Sequence, residues 1–305
     1  PGKLCERYSP PLHYRESFPV KKVIHTPAGE TVLDFGQNFA GHVVCTQKIP
    51  EGTTMTLEFG EVLQNGNFYH DNYRNAESKF TYVSDGTCRE IRPRFTFFGF
   101  RYVKVSGLDH VDTGCFKGRA IYSEMDQIGC IHTGNEKINQ LFSNSLWGLK
   151  SNFLDMPTDC PQRYERLGWT GDAQVFCTTA GFHMDTRAFY RKFLRDLRSD
   201  QKRNGGAAAI YLPNAFPGLS AGIWSDAATL MPKMLYDYYG SRELLAEQYP
   251  LMKDWVDYVY RADKARGQKN LYDFGFQFGD WLALDGSTEQ STFGRTGSGY
   301  ICSLY

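Results

Sequence analysis

Nothing in the sequence has the length or composition of a membrane segment or of a nucleic-acid-binding surface. No apolar run reaches the roughly 18–20 residues that a transmembrane helix needs, and 34 basic residues are balanced by 34 acidic ones. A chain without net charge offers little attraction to polyanions or acidic lipid surfaces. We therefore expect neither nucleic acid nor a membrane as a partner. The first twenty residues also lack the continuous apolar core of a signal peptide.

The sequence also lacks the spacings by which cysteines bind zinc or form redox pairs. The eight cysteines are scattered, with no C-x-x-C pair and no cluster with histidines: Cys5, Cys45, Cys88, Cys115, Cys130, Cys160, Cys177 and Cys302. Isolated cysteines in a chain of this size are usually small buried apolar residues. Reduced thiols are therefore favoured over disulfides, and a cytoplasmic location is favoured over secretion.

The residues that are present are those of a globular protein with a substantial core. Hydrophobic residues make up 41% of the 305-residue chain and charged residues 22%. This is enough apolar material for one large domain or two ordinary ones. Aromatic residues reach 15%. Such an excess is typical of a densely filled core or of a site that stacks rings on the apolar faces of sugars, and composition leaves both open.

The periodicity divides the chain into a β part and an α part. Residues 1–127 contain short β-rich runs, and in TTMTLEFGEVL the residues Met55, Leu57 and Phe59 alternate with polar ones. This pattern predicts an antiparallel β-sandwich. The run RPRFTFFGFRYVKVSG predicts one long strand with a bulge at Gly99.

From about residue 133 the apolar residues recur with the period of a helix. Six helices are predicted, at 135–153, 171–183, 185–201, 226–240, 242–262 and from about 299. Thr133 or Asn135 is the expected cap of the first and Ser241 of the fifth, which should kink or split at Pro250. The last helix is apolar up to Tyr305 without a breaker, so we expect the chain to be part of a longer one.

Two long connections and one charged segment stand out from this pattern. The connections 204–225 and 264–298 carry Trp224 and Trp281, and long loops inside a compact helical domain are usually functional. The charged segment, residues 157–174, reads PTDCPQRYERLGWTGDAQ.

In that segment Glu165, Trp169 and Asp172 follow at intervals of four and three residues, and Asp159 precedes Glu165 by six. If a helix begins just after Trp169, these side chains can converge at its N-terminus. Each acid also has an ordinary explanation: a first-turn helix acid for Asp172, an Asx turn for Asp159 and a surface ion pair for Glu165. Trp169 has none, because a large ring in a glycine-flanked turn needs something to cover it.

Carboxyl groups beside an aromatic platform are used in the hydrolysis of glycosidic bonds. One carboxyl donates a proton to the leaving oxygen, and another activates water or attacks the sugar. A carboxyl packed against Trp169 should have its pKa raised by desolvation, as a general acid requires.

The segment DCPQRYERLGWTGDAQ closely resembles the signature of bacterial α-L-rhamnosidases, glycoside hydrolase family 78. DFGQNFAGHV and PRFTFFGFRYVKVSG resemble the β-sandwich that precedes the catalytic domain in that family, and GDWLALDG resembles a further family stretch. The resemblance thus spans nearly the whole chain. It implies an antiparallel β-sandwich at residues 1–127 followed by an incomplete (α/α)6 barrel, the N-terminal half of the catalytic domain, at 128–305.

The resemblance also implies an activity and a set of site residues. The activity is release of α-L-rhamnose from a rhamnosylated glycoside or oligosaccharide, with inversion and without a cofactor. Glu165 matches the general acid. Substrate-binding positions are matched by two acids, three rings and one arginine: Asp159, Asp172, Trp169, Trp224, Trp281 and Arg163. Arg163 is expected to contact the substrate or to orient Asp159. The oligomeric state is left open.

The chain departs from the family pattern in two places. Tyr164 stands where many members have Asp, which should alter detail and not abolish activity. The general base of the family is a glutamate far downstream, beyond Tyr305, so we expect the chain by itself to be an inactive fragment.

Two other classes of function stay open. The protein could be a non-catalytic carbohydrate-binding or structural protein, or a helical-barrel glycosidase for another deoxy or uronic sugar.

Overall fold

The computed structural model describes residues 1–305 except positions 1, 3, 5, 88, 216, 217, 284, 287, 289 and 290. The described chain clusters into two compact units. The β unit comprises Pro10–Glu124 and Ile131–Arg166, and the helical unit comprises Pro1–Ser9, Met125–Cys130 and Leu167–Tyr305. The predicted order of an antiparallel β domain followed by helices is confirmed.

A seven-stranded antiparallel sheet forms the centre of the β unit. Its strands are β1 (Leu12–Pro19), β2 (Lys22–His25), β3 (Thr31–Cys45), β4 (Thr54–Gly60), β7 (Lys79–Val83), β8 (Phe98–Ser106) and β9 (Phe116–Ser123). A short separate hairpin consists of β5 (Val62–Gln64) and β6 (Asn67–Tyr69). The strand order is β1-β9-β3-β8-β4-β7, and β2 pairs with β3. Strand β3 is central because it pairs with β2, β8 and β9.

The core of this unit is aliphatic and aromatic. Met55, Leu57 and Phe59 are all buried, which confirms the predicted alternation in β4. The ring of Phe59 stacks on that of Phe98 at 4.0 Å and meets Phe100 edge-on at 4.9 Å. Full burial of side chains of this size contributes about 1.5–3 kcal/mol each.

The prediction of one long strand over residues 92–107 is wrong for the residues before Phe98. Strand β8 begins only at Phe98, and Phe95 lies fully exposed with a positive φ of 60°. The bulge is also elsewhere, because Gly99 pairs regularly with Ala40 and the irregularity falls in β3, between Asp34 and Phe39. A glycine is needed at position 99 for close packing, because a Cβ there would lie 2.9 Å from the side chain of Gln162.

Helix α1 (Glu136–Asn152) belongs to the β unit and begins as predicted. The Asn135 side chain accepts a hydrogen bond from the Lys137 amide at 3.0 Å, which is the expected N-cap. Two short strands, β10 (Phe153–Leu154) and β11 (Met156–Pro157), follow it as a tight antiparallel pair.

The burial of α1 differs from the prediction. Its last turns face the sheet, where Trp147 packs on the core and Lys150 forms an ion pair with Glu16 at 2.6 Å. Ile138 and Leu141 of the predicted apolar face are 47% and 68% exposed. The helix docks by its C-terminal half, so its first turns are left uncovered by the described residues.

The helical unit contains the other five described helices. They are α2 (Thr170–His183), α3 (Arg187–Arg203), α4 (Ala227–Tyr239), α5 (Arg242–Ala265) and α6 (Ser298–Leu304). A two-stranded ladder of β12 (Gly168–Trp169) and β13 (Tyr211–Leu212) lies at the start of α2. Within the described residues, no helix is both long enough and apolar enough to cross a membrane.

Helix α5 is capped as predicted but is not divided. The Ser241 hydroxyl accepts a hydrogen bond from the Leu244 amide at 3.2 Å, and the helix continues through Pro250. Leu251 and Trp255 beyond the proline are fully buried, as is Gln248 before it. Packing on both sides of Pro250 keeps the two halves in one helix, although the proline removes one backbone hydrogen bond.

The described cysteines include four free thiols, at Cys130, Cys160, Cys177 and Cys302. Cys5 and Cys88 lie outside the described residues. The cytoplasmic location inferred from cysteine usage stays a prediction.

The packing of Gly99 predicts opposite effects for two Gly→Ala substitutions in the β unit. Gly99→Ala should destabilise the unit by about 1–3 kcal/mol, because the new methyl meets both the backbone and the Cβ of Gln162. Gly148→Ala, in an exposed turn of α1 with no atom near the added Cβ, should stabilise it by about 0.5–1 kcal/mol. Urea-unfolding midpoints measure both. Equal midpoints for the two variants would contradict the packing argument.

Candidate active site

The acidic half of the charged segment, Thr158–Arg166, is anchored on two turns of the β unit. Arg163 donates through Nε to the Asn72 carbonyl at 3.1 Å. Arg166 donates to the Phe97 carbonyl at 2.6 Å, and its guanidinium lies 4.1 Å from the centre of the Phe97 ring. A second Arg166 bond, to the Pro161 carbonyl at 3.1 Å, closes the segment on itself. The segment therefore has a fixed course without regular secondary structure.

Asp159 and Glu165 are brought together by this course. A carboxylate oxygen of each and the Cys160 Sγ atom all lie within 4.8 Å of one another. Burial, reinforced by the hydrogen bond between the two carboxyls, raises the pKa of Asp159 to about 6. That same hydrogen bond, together with Arg74, lowers the pKa of Glu165. Below about pH 6 the pair therefore holds one proton, and the directions of the two pKa shifts place it on Asp159 with the negative charge on Glu165.

The lowered pKa of Glu165 is opposite to the raised pKa that a general acid requires. Desolvation does act to raise its pKa, but the hydrogen bond from Asp159 and the charge of Arg74 outweigh it. The Arg74 Nη1 atom lies 2.5 Å from the Glu165 Oε1 atom. The desolvated carboxyl of the pair is Asp159, whose Oδ1 atom is buried without a hydrogen-bond partner among the described residues.

The cluster of Asp159, Cys160 and Glu165 is compact enough for a cation, but its chemistry does not fit one. Burial, followed by the charge of Asp159, raises the pKa of the Cys160 thiol to about 12, so the thiol keeps its proton. The Glu165 carboxylate is already paired with Arg74, so the cluster adds only one further carboxyl and a protonated thiol. Hard cations prefer several carboxylate or carbonyl oxygens, and we assign no metal ion to this cluster.

The aromatic half of the segment belongs to the helical unit. Trp169 lies in β12 opposite Tyr211 of β13, and the two rings are 4.9 Å apart. The Thr170 amide and hydroxyl, at the start of α2, donate to the carbonyls of Ile210 and Ala209 at 2.9 and 3.1 Å. These bonds fix the turn that the sequence left unexplained.

The glycine after Thr170 is explained by the ring that covers it. A Cβ on Gly171 would lie 2.5 Å from the indole of Trp224. The predicted tryptophans are thus in one cluster, centred on Phe278: its ring lies 4.1 Å from Trp224, 5.3 Å from Trp281 and 6.3 Å from Trp169. We call these four rings the aromatic cluster. Trp281, at 39% exposure, is its accessible end.

The predicted site residues therefore form two groups. Asp159 and Glu165 form the carboxyl pair in the β unit, and Arg163 beside them bonds to Asn72 and reaches Cys160 Sγ at 4.0 Å. Trp169, Trp224 and Trp281 lie in the aromatic cluster of the helical unit. Asp172 is exposed in the first turn of α2, where the helix dipole stabilises a carboxylate.

Two residues of these groups were not found from the sequence. Arg74 is 91 positions from Glu165, and no local pattern links them. Phe278 was available as a signal, because it directly precedes the GDW motif in the aromatic-rich run FGFQFGDW.

A cavity of about 430 Å³ lies elsewhere in the helical unit, between α4, α5 and α6. Two acids line it, Asp226 and Asp263. Asp226 accepts hydrogen bonds from the Trp255 indole at 2.8 Å and from the Ile223 amide at 2.6 Å. Both carboxylate oxygens are thus used in holding the fold. Asp226 is a structural acid and not a candidate general base.

A pair of carboxyls is the catalytic equipment of most glycoside hydrolases. Comparison with known proteins agrees. Residues 126–305 match the model of the bacterial α-L-rhamnosidase six-hairpin glycosidase domain. Residues 24–122 match that of the bacterial α-L-rhamnosidase concanavalin-like domain. The chain belongs to the bacterial α-L-rhamnosidase family.

Individual relatives support the same membership. An α-L-rhamnosidase of Formosa agariphila is 39% identical over 267 residues, covering 86% of this chain and 28% of the relative. The structure of an α-L-rhamnosidase from Aspergillus terreus superposes with a TM-score of 0.89 at 34% identity, over 98% of this chain and 35% of that one. The Streptomyces avermitilis α-L-rhamnosidase complexed with L-rhamnose gives 0.86 at 35% identity, over 97% and 28%.

These matches confirm the predicted fold class, an antiparallel β-sandwich followed by helices of an (α/α)6 barrel. The chain spans 28% of the length of the Formosa and Streptomyces curated relatives.

The shared proton predicts a pH-dependent gain in stability for Asp159→Asn. The raised pKa of Asp159 means that ionising it in the folded protein costs free energy as the pH rises from about 4 to about 6. An amide still donates to Glu165 but never ionises. The variant should therefore be more stable than wild type by about 1–2 kcal/mol at pH 7 and equally stable near pH 4, measured by urea unfolding.

Asp185→Asn is the matched control with the opposite sign. Arg187 holds the pKa of Asp185 below its usual value, so its contribution to stability is present at neutral pH and is lost in acid. This variant should lose about 0.5–1 kcal/mol at pH 7. A loss of stability at pH 7 for Asp159→Asn as well would contradict the assignment of the shared proton.

Proposed function

We propose that the protein is an α-L-rhamnosidase that releases terminal α-L-rhamnose from rhamnosylated glycosides or polysaccharides by an inverting general acid/base mechanism. The observation that carries the proposal is the close pair of carboxyls, Asp159 and Glu165, within the family signature. The names of the relatives support the sugar specificity, and one of them was crystallised with L-rhamnose.

Glu165 is the proton donor in this mechanism. Its proton passes to the glycosidic oxygen as the bond from that oxygen to the anomeric carbon breaks, which leaves an oxocarbenium-like sugar and a neutral alcohol. Water attacks the anomeric carbon from the opposite face and gives up a proton to a base. Asp159 is not that base, because its carboxyl lies within 4.8 Å of the acid, whereas inverting enzymes separate the two by about 6.5–9.5 Å.

Asp159 instead binds the sugar and supplies the proton to Glu165. Its buried Oδ1 atom has no partner among the described residues, and a rhamnose hydroxyl would satisfy it. A hydroxyl that donates to Asp159 favours its ionised form and thereby shifts the shared proton towards Glu165. Binding of the sugar thus converts the resting charge state into the one that the reaction needs.

The aromatic cluster offers apolar surface to the sugar. L-rhamnose carries a methyl group in place of a hydroxymethyl, so it presents one end with no hydroxyl to satisfy. Trp281 is an accessible ring of the cluster and Trp169 is partly exposed, while Trp224 and Phe278 are each only 8% exposed. Asp172 is a second acid for hydroxyl groups, and Arg163 holds the backbone of the β unit beside the carboxyl pair.

Glu165→Gln in the full-length protein tests the acid role. Hydrolysis of a phenyl α-L-rhamnoside should slow by about 10²–10⁴-fold, because a poor leaving group needs the proton. A 2,4-dinitrophenyl α-L-rhamnoside should be hydrolysed at a rate much closer to wild type, since its leaving group does not. Proton NMR of the first-formed sugar should show the β anomer.

The outcomes separate the candidate functions. Equal losses on both substrates would remove Glu165 from the acid role. A first-formed α anomer would contradict inversion. Wild-type activity on other aryl deoxy-glycosides or uronides and none on rhamnosides would favour a glycosidase for another sugar. Binding of rhamnosides without turnover would favour a non-catalytic protein.

Trp281→Ala tests the aromatic cluster. Removal of one accessible ring should raise KM for aryl rhamnosides by about 3–10-fold with little change in the melting temperature, because aromatic contacts contribute about 0.5–1.5 kcal/mol. Phe278→Ala is the internal comparison and should lower the unfolding free energy by about 3–5 kcal/mol. A Trp281→Ala variant with unchanged KM would remove this residue from the substrate site.

A further inference from the structure

Arg74 has an unusual backbone for a residue that is not glycine. It follows the 3-10 turn Asp71–Tyr73 with φ 57° and ψ −122°, and its amide donates to the Asp71 carbonyl at 3.1 Å. An L-residue adopts this conformation only at a cost of about 1–3 kcal/mol, unless the surroundings impose it. Strain of this kind occurs most often where a side chain must be aimed at a functional group.

The turn before Arg74 is held from two sides. The buried Tyr73 hydroxyl donates to the Gly99 carbonyl at 2.6 Å. The Asn72 carbonyl accepts from Arg163 at 3.1 Å. These bonds impose the backbone at Arg74 and aim its guanidinium at Glu165, where the two charged atoms are 2.5 Å apart. The contact joins the β-strand region of the chain to the family signature within a single compact unit.

We propose that Arg74 is a positioning residue that holds the Glu165 carboxylate in one orientation and sets the pH at which the carboxyl pair loses the proton used in the reaction. The inference rests on the proposed role of Glu165 as general acid. It deepens that role by naming a residue outside the signature that regulates it.

The charged and titratable groups around Glu165 define how Arg74 acts. Asp159 and Cys160 face Glu165 from its own segment, and Arg74 faces it from the turn of the β unit. Tyr164 lies beside the Arg74 guanidinium. Further away, Arg163 lies next to Cys160 and interacts with Glu61.

Arg74 therefore opposes protonation of the acid. A guanidinium bonded to Glu165 stabilises the carboxylate, and the proton is left on Asp159. Half of the Arg74 side chain is exposed, so solvent weakens this effect. Without Arg74 the pair should keep its proton to a higher pH. The alkaline limb of the kcat/KM profile, where the acid loses its proton, should therefore move upwards.

Two substitutions remove the guanidinium with different backbone consequences. Arg74→Gly relieves the positive φ, and Arg74→Met keeps the stem and the strain. In the full-length protein, both should move the alkaline limb on an aryl α-L-rhamnoside up by about 0.5–1 pH unit. KM should change less than about twofold, because the role proposed for Arg74 is exercised on Glu165. Arg74→Lys should restore most of the wild-type profile.

Arg89→Met is the matched control, since Arg89 also forms a half-exposed ion pair in the β unit but with Asp85. It should leave the profile unchanged. Active Gly and Met variants with an unmoved alkaline limb would overturn the proposal. Equal shifts of the alkaline limb in the Arg74 and Arg89 variants would also overturn it, because the shift would then come from the change in the protein's net charge and not from the contact with Glu165.

A direct titration keeps this test separate from the proposed function. Carbon-13 NMR of protein labelled at the glutamate carboxyls, with the Glu165 signal assigned by its absence in Glu165→Gln, should show a higher pKa for Glu165 in Arg74→Gly. An unchanged pKa overturns the role of Arg74 whatever the activity. A raised pKa in a protein that hydrolyses no rhamnoside supports the electrostatic role of Arg74 and contradicts the proposed function.

Discussion

The packing of Thr158–Arg166 against two turns of the β unit is the constraint on which the carboxyl pair depends. This segment has no helix or sheet ladder to fix it, so side chains replace them: Arg163 bonds to Asn72, and Arg166 bonds to and stacks on Phe97. Gly99 allows the closest approach, at Gln162. Asp159 and Glu165 share a proton only because the loop is held at this spacing.

The boundary between the two compact units falls inside the signature, between Arg166 and Leu167. The residues that handle charge are thus part of a unit built on a sheet, and the residues that offer apolar surface are part of a unit built on helices. Different contacts hold the two groups in place. The carboxyl pair is fixed by arginines bonded to backbone carbonyls, and the aromatic cluster by rings that pack on Phe278.

Local features of the fold could be predicted from the sequence because local physics determines them. Asn135 and Ser241 are caps in the structure because their side chains satisfy amides two or three residues away. The alternation of Met55, Leu57 and Phe59 reflects the two faces of a strand. The exposure of Ile138 could not be predicted, because it depends on which half of α1 meets the sheet.

The candidate site divides in the same way. The acids and tryptophans could be found because they are concentrated in a short segment and in two aromatic-rich loops. Arg74 could not, because its relation to Glu165 exists only after β-strand pairing has brought residues 91 positions apart together. The charge state could not be predicted either. The sequence suggested a raised pKa for a carboxyl packed against Trp169, whereas in the structure the pKa of Asp159 is raised and that of Glu165 is lowered, in part by the distant Arg74.

That reversal has a chemical consequence for a general acid. If Glu165 held the proton firmly at rest, it would be a weak donor, and if it never received one it would be no donor at all. Arg74 and the sugar hydroxyl that we propose for the Asp159 Oδ1 atom, which has no partner among the described residues, act on the same proton in opposite directions. In the mechanism that we propose, Arg74 keeps it off Glu165 while the site is empty, and a sugar hydroxyl bonded to Asp159 moves it back. A pair of carboxyls with one proton can thus couple occupation of the sugar site to readiness of the acid, which a single buried carboxyl cannot do.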